Sequence, residues 1–453
     1  MTDAAHPALD SLSERLGERI AFAGDPRWDA VRSPWNLAID QHPVAVAAPG
    51  DLDELKALLA AARADELQLA VQPSGHGASG TLDGTVLVRT AAFDRLDVDV
   101  EARVARIGAG VRMGRVLEAL AGTALVAMSG SSGVVNATAF TLAGGHSWFA
   151  RSLGFASSSL RAVELLTADS RHRWLRDADE PELLWALRGA GGAFGVVTAI
   201  EVDLHPAPVL TGGRIVFAGT DAASVFRATV AAGRTAPHTL ALHAGAVRIP
   251  DVPQAPAELR GTTIVAVETV ELGESDAARA ALDQIRAAGT VVLDTVGPID
   301  APTLTAIGEE PTDPSADYFW SALADLDESN VDRLVETWQS PEGQPVMGLS
   351  FRVLGGALAA PPVRPAIAGA VREGHVVSAR VLAVPGAAEP AHRAFDALHR
   401  ALGVAASDRT FGTFLAPRVG YSGAYAESDV ARAARVKATV DPEGRFRGNR
   451  DFT

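Results

Sequence analysis

Within its first 200 residues the chain carries three glycine-rich stretches: "VQPSGHGASG" at 71–80, "SGSSGVVNATAFTLAGGHSW" at 129–148 and "GAGGAFG" at 189–195. Glycine lets backbone N–H groups come close to a ligand or take up positive φ. Successive N–H groups in such turns also form a concave nest for an anion. A tight turn explains any one stretch, but three in order are harder to dismiss. None fits G-x-G-x-x-G opening a helix after a first strand, since "GAGGAFG" leads into a strand, so a Rossmann fold is not favoured. A loop cradle would still allow a chain of formal net charge −15 to bind a charged cofactor locally.

The same net charge leaves no basic surplus for nucleic acid. With no cysteine, disulfides, thiolate zinc sites and cysteine nucleophiles are excluded. His76 and His146 lack an HxH or HExxH partner, so no metal is expected. "MTDAAHPALD" does not read as a secretory signal and no apolar run is long enough for a bilayer. The expectation is a cytoplasmic protein with no membrane partner, monomer and homodimer both staying open.

Helix and strand signals alternate through the first half. "DLDELKALLAAARAD" (51–65) reads as a helix capped by Asp51, "LQLAV" (67–71) and "VLVRT" (86–90) as strands, and 96–110 as a hairpin. "RAVELLT" (161–167), "RHRWL" and "VVTAIEVDLHP" (196–206) read as strands around a helix at 179–195. From about 207, strand-like runs such as "TLALHAGAV" and "VMGLSFRVLGG" alternate with helical segments, and Pro-rich loops such as "IPDVPQAPAE" separate them. The expected class is α+β: a first domain over 1–206, an α+β domain with a mainly antiparallel sheet over 207–410, and a segment 411–453 returning to the first domain.

Taken in order, these segments resemble the FAD-linked oxidases of the vanillyl-alcohol-oxidase/PCMH-type flavoprotein superfamily, berberine-bridge-enzyme-like branch. "WDAVRSPWNLAIDQHPVAVAAPGDLDEL" is similar to that family's entry segment and "VQPSGHGASG" to its first pyrophosphate loop. "GVVNATAFTLAGGHSWFARSLGF" and "LLWALRGAGGAFGVVTAIEVDLHP" are similar to its second and third flavin loops, and "RVKATVDPEGRFRGN" to its closing segment. The resemblance implies a PCMH-type two-subdomain FAD-binding domain and a separate substrate domain. It implies FAD bonded covalently through His76, with Gln72, Pro73, Ser74, Gly75, Gly77 and Ala78 around the pyrophosphate. Around the ring it implies Ser129, Gly130, Ser131, Ser132, Gly133, Val134, Thr138, Gly144, Gly145, Val197 and Asn449. The implied reaction is hydride transfer from a small, hydrophobic or aromatic, secondary-metabolite-type substrate, with oxygen or another acceptor reoxidising the flavin.

The departures are specific. A second, cysteine-linked attachment would fall near Ser132, so attachment is single at most. Gln72, Ser158 and Ala193 replace an Arg, an Asp and an Asn of the family pattern. Phe411 and Thr413 stand where relatives have Tyr-x-Asn, and phenylalanine takes no proton. His146 is then the first alternative base, against a bland role in hydrogen bonding, and Tyr318 the second, against core packing. Arg352 would orient an acidic or carbonyl substrate or simply point outward. Two rival readings stay open: a non-redox cyclase on the same scaffold, and a scaffold protein that has lost FAD.

Overall fold

The computed structural model describes residues 6–80, 82–251, 257 and 259–452. Most of the Pro-rich stretch 249–258 and the first five residues lie outside them. Among the described residues no helix is long and apolar enough to cross a membrane.

The N-terminal part starts from short, largely buried strands. Ala45–Ala47, Val86–Val88 and Leu69–Val71 pair in parallel, as apolar runs buried on both faces do. Helix Leu52–Ala64 packs on them through Leu55, Leu58 and Leu59, and Asp51 caps it by accepting from the Glu54 N–H at 2.8 Å. Phe446–Arg447 adds in parallel beside Leu69–Val71, which brings the C-terminal segment to the first glycine-rich loop.

A second sheet is antiparallel. It contains the hairpin Leu96–Asp99/Val104–Gly108, then Val196–Asp203, Leu160–Leu166 and His172–Arg176. The helix read over 179–195 is shorter, Pro181–Ala190, and breaks at Arg188 and Gly189. Gly189 has φ +137°, and a Cβ there would meet the Ala368 backbone N and the Tyr425 hydroxyl at 2.8 Å each. The Tyr425 hydroxyl donates to the Gly189 carbonyl at 2.8 Å, so the kink is pinned from the C-terminal segment.

The third sheet is large and antiparallel. From edge to edge it runs Val291–Asp294, Leu210–Ala218, Thr263–Leu272, Leu240–Arg248, Gly348–Val353, His375–Leu382 and Asp317–Ala324. Alternation along each strand sorts side chains between two cores. Val265, Val267, Leu242, Phe351 and Val377 join helices Ala222–Thr235, Glu328–Gln339 and Ala388–Leu402 in one core. Ala241, Val270, Val376 and Leu323 join the core shared with the second and third glycine-rich stretches. The fold is thus a mixed α+β architecture whose large sheet backs onto the glycine-rich loops.

Candidate active site

The loops meet around a cavity of about 360 Å³. All of 72–78 lines it, with Gly130, Ser131, Ser132, Thr138, His146, Val197 and Asn449. The other sequence-derived positions stand behind this lining. Ser129 accepts from the Trp148 N–H, Gly133 accepts from the Gly114 N–H, and Gly145 receives the Ala156 N–H. Gly144, with φ +97°, accepts from the Ser157 N–H. Val134 is half-buried beside Gly133.

The first loop is held by two clamps. Trp35 and Asn36 donate their N–H groups to the Ser74 and Gly75 carbonyls. From the C-terminal segment, Asn449 Nδ2 and Arg450 Nη2 donate to the Gly77 carbonyl at 2.7 and 3.1 Å, and Asn449 Oδ1 accepts from the Ser79 N–H. The N–H groups of Gly75, His76 and Gly77 meet no acceptor among the described residues, so this cradle of donors suits a phosphate group. Gly75 is essential to that shape. Its φ is +81°, and a Cβ would sit 2.5 Å from Pro34 Cβ and 2.8 Å from Pro34 Cα. Gly75→Ala should leave far-UV circular dichroism unchanged and abolish flavin retention on gel filtration; normal retention would show that the loop shape is dispensable.

Arg89 lies under this loop, donating to the Gln72 carbonyl and Oε1 at 2.9 Å each and to the carbonyls of Val31, Arg32 and Ser33. Gln72, where the family pattern has Arg, is therefore fastened through an arginine from the next strand.

His76 stacks on Trp35 with centroids 4.3 Å apart and 13° between planes. Its Nδ1 lies 2.9 Å from Ser74 Oγ, while Nε2 is buried without a partner. Burial, aided by Arg112, holds the imidazole down at about 4, so it is neutral at ordinary pH. A neutral ring with one nitrogen engaged and the other free at a cavity fits an attachment point.

His146 is not arranged as a base. Arg352 Nη1 approaches its Nδ1 at 3.3 Å, which requires Nδ1 to accept and Nε2 to carry the proton. Burial and the Arg352 charge push it well below its ordinary range. It stacks on Phe411, 5.1 Å away and 12° inclined. This histidine thus offers an N–H donor rather than a lone pair. Tyr318 is on the other side of the sheet: alternation along Asp317–Ala324 sends Tyr318 and Trp320 to the helix-covered core, with His392 6.3 Å from Tyr318. Phe319 and Ser321 face the cavity side instead, against Phe414. Proton transfer by Tyr318 is excluded by that register.

Of the polar wall that the large sheet supplies, sequence reasoning named only Arg352. Register pairs Arg214 with Glu268, Glu268 with His243, and His243 with Arg352, so the four stand in one row across four strands. Arg352 and Glu310 both reach the cavity. Glu310 accepts a hydrogen bond from the Ser131 hydroxyl, joining the wall to the second glycine-rich loop. Arg352 lies over the Phe414 ring, 5.0 Å from its centroid, and no carboxylate among the described residues is within ion-pair distance of it. His243 stacks on Trp148 at 4.4 Å. Asn136, Tyr421 and Arg450 are further lining residues that sequence reasoning did not name. Asn136 could have been found as the cap of helix Ala137–Leu142. Nothing local marks Glu310 or Glu268.

Comparison with known proteins agrees with this geometry. The FAD binding domain family matches residues 43–176. The (R)-6-hydroxynicotine oxidase of Paenarthrobacter nicotinovorans is 30% identical over 191 residues, 42% of each chain. The FAD-linked oxidoreductase afoF of Emericella nidulans is 30% identical over 189 residues, 40% of this chain and 37% of its own. The aligned part thus spans about two fifths of these curated relatives. Among solved structures, BBE-like 1 of Physcomitrella patens superposes with a TM-score of 0.83 at 16% identity, over 98% of this chain and 99% of its own. The 6-hydroxy-D-nicotine oxidase of Arthrobacter nicotinovorans gives 0.81 at 24%, over 96% and 97%.

Proposed function

We propose that this chain, which matches the FAD binding domain family over 43–176 and shares its fold with BBE-like 1, is an FAD-dependent oxidoreductase acting on a small molecule. The observation that carries the reading is the convergence of three glycine-rich loops on one cavity, with a row of free N–H donors at one side and the orphaned Nε2 of His76 in its wall. Bound there, FAD supplies a two-electron acceptor for a substrate C–H bond. Residues 74–78 would hold the pyrophosphate, His76 would carry the flavin through its free Nε2, and Asn449 and Arg450 fix the loop that presents them. A cysteine-free chain makes this the single attachment.

The substrate end of the cavity has two characters. Phe140 and Phe414, with Phe411 behind His146, form an aromatic side, while Glu310 and Arg352 form a polar pole. A compound with an aromatic or apolar body and one polar end suits that division. The glycine cradle and the free His76 nitrogen speak against the FAD-free scaffold reading. The test is anaerobic mixing of the purified yellow protein with a panel of aromatic alcohols, amines and short sugars, followed by optical bleaching. Bleaching by one class, and return of colour with oxygen, is the expected result. A flavin that stays oxidised across the panel while product forms would establish the non-redox alternative.

A further inference from the structure

The large sheet puts an unpaired carboxyl where an apolar wall would be simpler. Glu268 lies on Thr263–Leu272 with its side chain on the cavity side, because Val265 and Val267 take the helix-covered side. Its oxygens make no hydrogen bond or ion pair among the described residues. The charged and titratable groups facing it are Arg214 and His243 on the flanking strands, Arg352 one strand farther, and Glu310 from the loop after Ile307. Arg214 is already occupied by Glu309 at 2.6 Å. His243 is buried with Nδ1 lacking a partner. Space has been kept open here too, since a Cβ at Gly308 would come within 3.1 Å of Glu268 Oε1.

An unpaired, desolvated carboxyl beside a second carboxyl tends to hold a proton. Burial, reinforced by Glu310 and opposed by Arg352 and Arg214, lifts Glu268 to about 7. Glu310 differs in place: it borders the cavity and accepts from the Ser131 hydroxyl. The two carboxyls are therefore placed differently: Glu310 stands where a substrate reaches it, and Glu268 stands behind the lining, where a carboxyl can keep a proton. His146 and Tyr318 leave this task unfilled, the first because its free nitrogen is a donor and the second because it faces away.

We propose that Glu310 is the catalytic proton acceptor for a substrate hydroxyl or amine adjoining the carbon to be oxidised, and that Glu268 is the positioning carboxyl that takes over the proton. This rests on the oxidoreductase reading above. In the transfer the substrate O–H or N–H bond breaks, its electron pair stays on the heteroatom, and the proton becomes the O–H of Glu310. Exchange with Glu268 then restores Glu310 as a carboxylate. The substrate class is thus alcohols and amines with an ionisable X–H beside the reacting C–H.

The test uses the flavin-loaded protein in two measurements. Infrared difference spectra across neutrality should show a protonated-carboxyl C=O band in the wild type that titrates near 7, absent from Glu268→Gln. With any panel compound that bleaches the wild type, Glu310→Gln should keep its flavin and be reduced about 10²–10⁴-fold more slowly. Glu310→Asp should recover part of that rate, and Glu268→Gln should shift the pH limb of reduction. A wild-type spectrum with no titrating carboxyl overturns the proposal, as does Glu310→Gln reducing at the wild-type rate. Should Glu310→Gln lose flavin or fold, the infrared comparison of wild type and Glu268→Gln decides alone. A wild type that never bleaches overturns the oxidoreductase reading instead, and the carboxyl band can still be read.

Discussion

His76→Ala should remove all flavin from the acid-precipitated protein. In the wild type, denaturing in acid and spinning should leave the yellow colour in the pellet; in the variant it should appear in the supernatant. The reason lies in what else the cavity offers. With no cysteine in the sequence, the cavity offers no thiolate for a second linkage. Both cavity histidines leave Nε2 without a partner, but on His146 the Nδ1 accepts from Arg352, so Nε2 carries the proton. On His76 the Nδ1 can donate to Ser74 Oγ and leave Nε2 as a lone pair, with the ring stacked on Trp35. An imidazole held at about 4 presents a lone pair throughout the neutral range, so attachment should not fall off until the medium is acidic. Ser74→Ala should keep attachment but slow it, because only the Nδ1 contact is lost. The glycine cradle is untouched by His76→Ala, so the variant should still bind flavin reversibly and lose it on dialysis. Yellow supernatant from the wild type would make His76 a non-covalent lining residue and leave the cradle intact.

Residues whose role depends on local backbone were legible in the sequence. Asp51 caps its helix, the hairpin over 96–110 forms, and residues 72–78 wrap the cavity as a unit, since glycine pattern and apolar period act within a few residues. The choice of base was not legible. Tyr318 and Phe319 are neighbours in sequence and end on opposite faces of a sheet, and only the register decides which one faces the cavity. His146 looked suitable by type and position; its tautomer is set by Arg352, 206 residues away. Glu268 and Glu310 carry no motif, and Glu268 meets Arg214 and His243 only after strands from 210 to 272 have paired. A polar cavity wall built from one side chain per strand leaves no periodic signal in any strand. That is also why an apolar, aromatic lining was the natural expectation and the charged pole a correction to it.

Arg151→Met should destabilise the fold strongly while sparing the cavity lining. The Arg151 guanidinium is buried and donates to five carbonyls: Leu354 at 3.1 Å, Leu240 at 2.5 Å, Pro237 and Gly233 at 3.3 Å, and Ala236 at 3.4 Å. Burial brings it down to about 10, so it stays charged at neutral pH with no carboxylate partner among the described residues. Methionine keeps the apolar stem and removes every donor, leaving several buried carbonyls unmet at about 1–3 kcal/mol each. A loss of at least about 3 kcal/mol in denaturant unfolding is expected, and a loss below about 1 kcal/mol would mean water takes over the carbonyls. Its position gives the loss a functional side. Arg151 follows His146 and Trp148 on the second loop, while Leu354 and Leu240 end or begin the strands bearing Arg352 and His243. The same guanidinium therefore sets the distance from the flavin-loop wall to the charged row. Folded Arg151→Met should retain its flavin, because 72–78 are clamped independently from 449–450, and yet be reduced more slowly as the His146–Arg352 contact loosens. Equal reduction rates at equal flavin content would show that the two walls are aligned by the packed cores alone.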